Sequence, residues 1–179
     1  MDFELQTAQL RLRPIQDTDV DALLALDSDP EVMKYISGGQ PTTRRDYEEL
    51  LPRMMAYGPG PIGYFAAMLR TEKRFVGWFH LRPSVVDPEI LELGYRLAAS
   101  VWGRGLATEG SLALLHNAFG PLEQVAVDAC TVPENAASIA VMQKCGMREV
   151  GSFLHPRGQV LCLRYLVDAA TFGKRAKQS

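Results

Sequence analysis

The sequence predicts a single α/β domain with a mixed, largely antiparallel sheet, and three observations support this. The chain has 179 residues, enough for one domain with a substantial core and short for two. Hydrophobic residues make up 47% of it and charged residues 22%, which is an ordinary globular composition. Hydrophobic periodicity along the chain gives the element order β-α-α-β-β-β-α-β-α-β-β.

The N-terminal part of the chain predicts one strand followed by two helices. "AQLRLRPI" alternates leucine with arginine, which is typical of a strand that buries one face. In "TDVDALLALDSD" apolar residues recur at helical spacing after Asp17 or Thr18, either of which can cap the helix. The stretch 29–42 is rich in proline and glycine and is predicted to be a loop. A second helix is predicted over 43–57, where "GPGPIG" ends it.

Three strands follow. "IGYFAAMLR" and "RFVGWFHLRP" are joined by the short polar turn "TEK", which predicts an antiparallel hairpin. "EILELGYRLA" is predicted to be the next strand, with its leucines and tyrosine on one face and Glu92 on the other. Gly94 inside this strand indicates a bulge or the close approach of another backbone.

The C-terminal half predicts two helices and three strands. A helix is expected from about Leu106 to Phe119, and the apolar run "QVAVDACTV" is expected to be a buried strand. "PENAASIAVMQKCG" predicts a short helix capped by Asn135 and ended by Gly146. "MREVGSFL" and "QVLCLRYLVD" complete the sheet. The predicted organisation is a lead-in at 1–7, one domain at 8–170 and a flexible polar tail at 171–179.

Composition argues against several classes of protein. The formal net charge of -2 gives no overall basic field, so nucleic acid is not an expected partner. The N-terminus lacks a basic-then-apolar leader, and the longest charge-free apolar stretch, Gly110–Leu122, is too short to cross a bilayer. We therefore expect a cytoplasmic protein without a membrane partner.

Metal chemistry is not expected either. The cysteines, at 130, 145 and 162, are odd in number, lack metal-ligand spacing and lie in apolar segments, as reduced core thiols do. The three histidines lie in different predicted elements.

A glycine-rich loop, "WGRGLATEG" at 102–110, is the strongest functional signal. Two glycines stand just before a predicted helix, whose first backbone N–H groups have no partner within the helix. Such groups bind phosphate, and Arg104 can add charge-assisted hydrogen bonds. The loop therefore predicts a pyrophosphate site, which would suit either a nicotinamide dinucleotide or an acyl-coenzyme A.

The dinucleotide alternative rests on Gly103-x-Gly105-x-x-Thr108, with Asp128 ending the next strand roughly 20 residues on. Thr108 occupies the position at which the dinucleotide-binding motif has its third glycine. The preceding strands form a hairpin in place of a parallel series, and only one more αβ unit follows. We therefore regard this alternative as the weaker one.

The wider sequence resembles the GNAT superfamily of acyl-CoA-dependent N-acetyltransferases, most closely its ribosomal-protein N-acetyltransferase-like branch. Three segments carry the likeness, in order: "LRLRPIQDTDVDALLAL", "LELGYRLAASVWGRGLATEG" and "PENAASIAVMQKCGMREVG". The resemblance implies two parallel central strands, 89–98 and 124–130, that splay apart. It also implies acetyl-CoA as co-substrate, with pantetheine in the resulting wedge.

The resemblance implies a set of site residues. Those expected to bind the coenzyme, largely through backbone groups, are Tyr95, Arg96, Leu97, Trp102, Gly103, Arg104, Gly105, Leu106, Ala107, Thr108 and Asn135. Glu92 is the candidate base, acting directly or through water, and its alternative is a solvated strand glutamate. Ser138 could hydrogen-bond coenzyme A or a catalytic water. Many relatives have a tyrosine general acid where this chain has Met142, so that role is vacant or moved.

The expected function is transfer of an acetyl group from acetyl-CoA to a primary amine by direct attack. The alternative is an acyl-CoA-binding sensor with little catalysis. The acceptor, a protein N-terminus or a small-molecule amine, is expected to enter beside 29–61 and "LHPRGQ". Because the family often dimerises, a homodimer is a further expectation.

Overall fold

The computed structural model of the protein describes residues 3–156 and 158–176. It contains an eight-stranded sheet with strand order β1-β2-β3-β4-β5-β6-β8-β7, flanked by six α-helices. The strands are β1 (Leu5–Gln6), β2 (Leu10–Pro14), β3 (Gly63–Leu69), β4 (Arg74–Pro83), β5 (Leu91–Leu97), β6 (Ala126–Thr131), β7 (Arg148–Leu154) and β8 (Leu161–Asp168). The helices are α1 (Val20–Asp27), α2 (Pro30–Ser37), α3 (Arg44–Met55), α4 (Leu106–Phe119), α5 (Ala136–Lys144) and α6 (Ala169–Ala176).

The described residues group into two compact units. The first runs up to His80 and includes Tyr95–Ala113, and the second comprises Leu81–Gly94 and the residues from Leu114 onward. The strands β4 and β5 each contribute residues to both units.

The first unit is built on antiparallel strands. Leu10 of β2 pairs with Leu69 of β3, and the leucines that alternate with arginine along β2 are fully buried, as the sequence predicts. One cluster of its core joins α1, α3 and β3 through Ile15, Leu23, Tyr47, Leu51 and Ala66. The hairpin of β3 and β4 and the helix α3 lie close to their predicted ranges.

The prediction of a loop over 29–42 is wrong for residues 30–37, which form α2. Asp29 caps this helix by accepting a hydrogen bond from the backbone N–H of Glu31 at 3.0 Å, and Pro30 occupies the first turn. Gly38 ends it in the left-handed conformation, with φ at 66°. The proline and glycine that indicate a loop are here the start and stop signals of a short helix, which buries Met33.

Both predicted ends of the chain are also more ordered than expected. The lead-in contains β1, whose Leu5 pairs with Leu12. The flexible tail predicted from residue 171 is wrong for residues 171–176, because they belong to α6. Phe172 is buried against the rings of His116 and Phe119, at centroid distances of 4.9 and 5.0 Å. The remaining tail residues, 177–179, lie outside the described part of the chain.

The second unit contains the parallel pairing that the family resemblance implies. The register of β5 and β6 has two pairs, Leu91↔Val127 and Glu92↔Asp128, and neither Leu93 nor Gly94 continues it, although both strands are described in full. On its other side β6 pairs antiparallel with β8 along its whole length, and β8 pairs with β7. The two parallel strands therefore separate immediately after Glu92 and Asp128.

A substitution at Gly110 in α4 tests how tightly the core of the first unit is packed. A Cβ atom there would lie 2.3 Å from Cζ of Phe79, a side chain with no exposed surface. We expect Gly110→Ala to destabilise the protein by roughly 1–3 kcal/mol through overpacking, although alanine is intrinsically better in a helix by about 1 kcal/mol. Urea denaturation measures the change. Gly60→Ala, which meets open space, is the matched control, and a stabilised G110A protein would contradict the packing argument.

Candidate active site

The glycine loop adopts a backbone that requires its glycines. A single 3-10 turn, Ala99–Val101, leads into Trp102, and then Gly103 and Gly105 both take left-handed conformations with φ at 74° and 80°. A Cβ at either position would meet no heavy atom within 4 Å. The two glycines are therefore needed for the backbone path, and the space beside them is open.

Six successive backbone N–H groups, at residues 103–108, take part in no hydrogen bond within the described part of the chain. The first N–H that does is that of Glu109, which donates to the Gly105 carbonyl at 3.0 Å. Three of the six belong to the first turn of α4, and three belong to the loop. Arg104 beside them is exposed. Unpaired N–H groups in a left-handed loop at a helix N-terminus bind anions, so the residues present fit a pyrophosphate.

The side chains of the residues in and beside this loop make contacts within the protein or are buried. The indole Nε1 of Trp102 donates to the Leu97 carbonyl at 2.8 Å while about half of the side chain stays exposed. Leu106 is 1% exposed, so its side chain is in the core and its backbone N–H alone faces the loop. Ala107 and Thr108 are half-buried.

Glu109 joins the start of α4 to the turn between β1 and β2 through hydrogen bonds. Its carboxylate accepts hydrogen bonds from the Thr7 hydroxyl, the Gln9 backbone N–H at 2.7 Å and the Gln9 amide at 2.8 Å. Burial alone would raise the pKa of Glu109, but these hydrogen bonds more than offset it and lower the pKa below its ordinary value. This carboxylate therefore holds the loop in place and complements the helix dipole.

The side chain of Arg96, at the end of β5, makes contacts within the first unit. The guanidinium donates to Asp27 at 2.5 Å and lies 5.1 Å above the ring centroid of Trp78. Asp27 is 1% exposed and also accepts from the Tyr47 hydroxyl at 2.8 Å. Burial first, and then the charge of Asp27, raise the pKa of Tyr47. Arg96 can therefore meet a coenzyme only through its backbone.

Tyr95 also packs within the first unit, with its ring 5.7 Å from that of Phe79.

Glu92 lies in the second unit and is buried, so the alternative of a solvated strand glutamate is wrong. It is 5% exposed and accepts a hydrogen bond from Arg82 Nη2 at 2.8 Å. The guanidinium of Arg82 is itself largely buried, with 17% of its side chain exposed.

Asp128 is the residue that sequence reasoning missed, since it entered only through the dinucleotide alternative. It is 2% exposed, and its Oδ2 accepts from both Ser84 Oγ and Arg164 Nε at 2.8 Å. Its Oδ1 is buried and has no hydrogen-bond partner among the described residues. Burial raises the pKa of Asp128, with a further contribution from the charge of Glu92, and the hydrogen bonds of Ser84 and Arg164 offset part of this rise. A charged residue inside the apolar run "QVAVDACTV" is the signal that could have found it.

Two thiols lie in the same unit as these carboxylates. Cys130 and Cys162 hydrogen-bond to each other, and burial raises the pKa of Cys130, with the charge of Glu92 next in importance. Cys145 is buried, and none of the three cysteines forms a disulfide. A thiol whose pKa is raised is a poor nucleophile.

The start of α5 is built as predicted. The Asn135 side chain accepts a hydrogen bond from the Ser138 backbone N–H at 3.1 Å and so caps the helix. Met142 is 4% exposed, which places it in the core.

The described residues include no group of three histidine, cysteine or acidic side chains arranged to hold a metal ion. Across residues 3–156 and 158–176, no helix has the length and apolar character needed to span a membrane.

Comparison with known proteins now decides between the two pyrophosphate ligands. Residues 9–148 match the family described as acetyltransferase (GNAT) domain. The chain belongs to the GNAT acetyltransferase family. The dinucleotide alternative is therefore wrong, and acetyl-CoA is the co-substrate of this GNAT protein, an acyl-CoA-dependent N-acetyltransferase.

Similar proteins agree with this assignment. The chain is 32% identical over 158 residues to FsC-acetyl coenzyme A-N(2)-transacetylase from Aspergillus fumigatus, a match that covers 84% of this chain and 67% of that protein. A GNAT-family acetyltransferase from Bacillus anthracis superposes with a TM-score of 0.80 at 26% identity, covering 94% of this chain and 99% of that one. Spermidine N-acetyltransferase from Vibrio cholerae, solved with CoA and spermine, shares the fold with a TM-score of 0.71 at 18% identity, covering 92% and 98%. The ribosomal-protein branch stays a prediction.

The carboxylate of Glu109 gives a pH-dependent test of the loop. Because folding lowers its pKa, its stabilisation is present above the unfolded value of about 4.3 and is lost as the pH falls through the folded value. We expect Glu109→Gln to reduce the free energy of unfolding by roughly 1–2 kcal/mol at pH 7, with the difference shrinking as the pH falls through the folded pKa. Denaturation at pH 7 and at a series of lower pH values measures it, with exposed Glu134→Gln as control. A difference that stayed constant with pH would contradict the role of the charge.

Proposed function

We propose that this N-acetyltransferase transfers the acetyl group of acetyl-CoA to a primary amine by direct attack in a ternary complex. The observation that carries the proposal is the run of six unpaired N–H groups at residues 103–108, which suits the coenzyme pyrophosphate. Arg104 would add charge-assisted hydrogen bonds to the same phosphates.

Pantetheine would follow the open edges of β5 and β6. Their pairing ends at Glu92 and Asp128, so backbone groups beyond that point can pair with the amides of pantetheine as with an added strand. The backbone from Tyr95 to Leu97 continues the β5 edge, where the Leu97 carbonyl already accepts from Trp102. Asn135 and Ser138 are proposed to contact the coenzyme or a catalytic water from the first turn of α5.

Glu92 would act as the proton acceptor, directly or through water. Freeing the amine at pH 7 costs about 1 kcal/mol for a protein α-amine, with a pKa of ~7.7–8.0, and roughly 4.6 kcal/mol for a lysine-like amine. Glu92 takes one proton from the ammonium, and the lone pair of the neutral amine then forms the new N–C bond at the thioester carbonyl carbon as the C=O π electrons move to oxygen. When the carbonyl re-forms, the C–S bond breaks with its electron pair on sulfur. The second N–H proton passes to that sulfur or to solvent, which leaves a neutral amide and CoA.

The departing sulfur makes a smaller demand. A thiol pKa of ~8.5 means that protonating it contributes about 2 kcal/mol at most, so the thiolate can leave without a dedicated acid. This accounts for a buried methionine, Met142, at the position where many relatives have tyrosine.

A protein N-terminus and a small-molecule amine are both proposed acceptors. The neighbour from Vibrio cholerae is named for spermidine, which is a small-molecule amine. The entry of the acceptor beside 29–61 and beside 154–159 stays a prediction, and residue 157 lies outside the described residues. A cytoplasmic location and a homodimer remain proposals.

Titration calorimetry with acetyl-CoA and with NAD, on the same purified protein, tests the proposal first. Micromolar binding of acetyl-CoA with no heat from NAD supports the coenzyme site, and a screen of amines for turnover follows. Binding of acetyl-CoA without turnover of any amine would favour the sensor alternative.

Two glycine-to-alanine variants distinguish a loss of coenzyme binding from a general effect of backbone strain. Gly105→Ala and Gly38→Ala both place a side chain in a left-handed conformation that meets open space, so each should cost roughly 1 kcal/mol of stability. G105A alone should lower acetyl-CoA affinity, by tenfold or more, because its methyl group enters the space of the pyrophosphate. Calorimetry on both variants measures this, and equal affinities would refute the loop assignment.

Glu92→Gln tests the base. We expect kcat to fall by about 10²–10⁴-fold, with the Kd for acetyl-CoA within threefold of the parent protein, because the amide keeps the shape of Glu92 but accepts no proton. Exposed Glu89→Gln, on the loop before β5, is the matched control and should leave turnover unchanged. Full turnover by E92Q would exclude Glu92 as the base.

A further inference from the structure

We propose that the exposed ring of Trp102 binds the dimethyl-substituted carbon in the pantoate group of coenzyme A, between the pyrophosphate site and the edge of β5. The inference rests on the proposed function and adds a side-chain contact to a loop that otherwise meets the coenzyme largely through backbone groups. All the residues concerned belong to the first unit.

The carbonyl of Leu97 points away from β4. The N–H of Ala98 donates to the Val76 carbonyl of β4 at 2.9 Å. The C=O of Leu97 and the N–H of Ala98 belong to one trans peptide group, in which the two bonds point in opposite directions. The Leu97 carbonyl therefore lies on the edge of β5 that β4 does not occupy, which is the edge proposed to receive an added strand.

The indole of Trp102 lies on that edge. The 3-10 turn Ala99–Val101 turns the chain back, anchored by the buried side chain of Val101, so that the indole Nε1 reaches the Leu97 carbonyl at 2.8 Å. The residue is nevertheless 51% exposed. A tryptophan whose one polar atom is already bonded presents an apolar ring, and the hydrogen bond restricts the orientation of that ring.

Three kinds of surface therefore follow one another in this part of the chain. The N–H groups of 103–108, which have no partner within the described residues, suit an anion. The ring of Trp102 suits an apolar group, and the edge of β5 suits amides. Coenzyme A carries its groups in the same order, because a carbon with two methyl groups separates its pyrophosphate from its two amides. The first unit thus offers a complementary surface to each group.

This contact distinguishes coenzyme A from other pyrophosphates. ADP and NAD can both reach the N–H groups of the loop, but neither carries a branched apolar carbon beside its phosphates. A ring that is already held in place loses little conformational entropy when a ligand packs against it, so the burial of the two methyl groups strengthens binding. Trp102 is therefore a specificity-determining residue, and its contribution should be seen in the binding of CoA and not in that of ADP.

Titration calorimetry at pH 7 with three ligands tests the contact. They are CoA, a CoA analogue in which hydrogen replaces the two pantoate methyl groups, and ADP. We expect the parent protein to bind the analogue roughly tenfold more weakly than CoA, because burying one methyl group contributes about a factor of four. Trp102→Ala should bind CoA and the analogue with Kd values within about threefold of each other, and should bind ADP like the parent. Val125→Ala shortens an exposed apolar side chain of the second unit, so this matched control should keep the preference for CoA.

A second variant protects the test against misfolding. Should W102A fail to fold, Trp102→Gln takes its place with the same expectation, because the glutamine amide can still donate to the Leu97 carbonyl but offers no apolar ring. Equal affinities of the parent for CoA and the analogue would overturn the proposal, and so would a preference for CoA that persists in the folded variant. Equal losses of ADP and CoA affinity in that variant would assign the ring to the loop or to adenine and likewise overturn it. Failure of the parent to bind both CoA and ADP refutes the proposed function itself.

Discussion

The parallel pairing of β5 and β6 lasts for two residue pairs and then stops, and much of the candidate site follows from this interruption. Strands that separate leave backbone N–H and C=O groups unpaired, which is costly unless water or a ligand meets them. β6 stays in place because β8 pairs with it over six residues on its other side. The antiparallel pairing with β8 thus keeps β6 in the sheet where its pairing with β5 has ended.

Two buried ion pairs lie on the strands around the point where β5 and β6 separate. The second unit places two carboxylates and two guanidiniums on neighbouring strands, each joined to its partner at 2.8 Å. Such pairs add little net stability, because removing the charges from water offsets most of their attraction. They do fix the carboxylates in orientation, as a proton acceptor at Glu92 would require.

Sequence reasoning succeeded where the signal is local. The left-handed glycines before α4 and the Asn135 cap of α5 are encoded within a few residues, so their elements could be placed from spacing. The same local logic failed at α2, where Pro30 and Gly38 mark the ends of a short helix as well as they mark a loop. The C-terminal tail was predicted to be flexible because its composition is polar. Its one aromatic residue, Phe172, packs against residues that are far from it in the sequence.

The electrostatics of the site could not be predicted from the sequence, since they depend on long-range partners. Asp128 and Arg164 are 36 residues apart, and Ser84 is 44 residues from Asp128. Periodicity shows that a residue lies on one face of a strand, but not whether that face is buried or which counterion meets it. Glu92 was therefore assigned a role without its arginine, and Asp128 was not recognised as a site residue.

The hydrogen bonds of Glu109 and the pairing of β8 bear on how far the chain can be shortened. The family match ends at residue 148 and begins at residue 9, yet the Thr7 hydroxyl that holds Glu109 precedes it and all of β8 follows it. A protein cut at these boundaries would lose an anchor of the glycine loop and the strand that pairs with β6. The boundaries of the family match are therefore not suitable ends for a shortened protein.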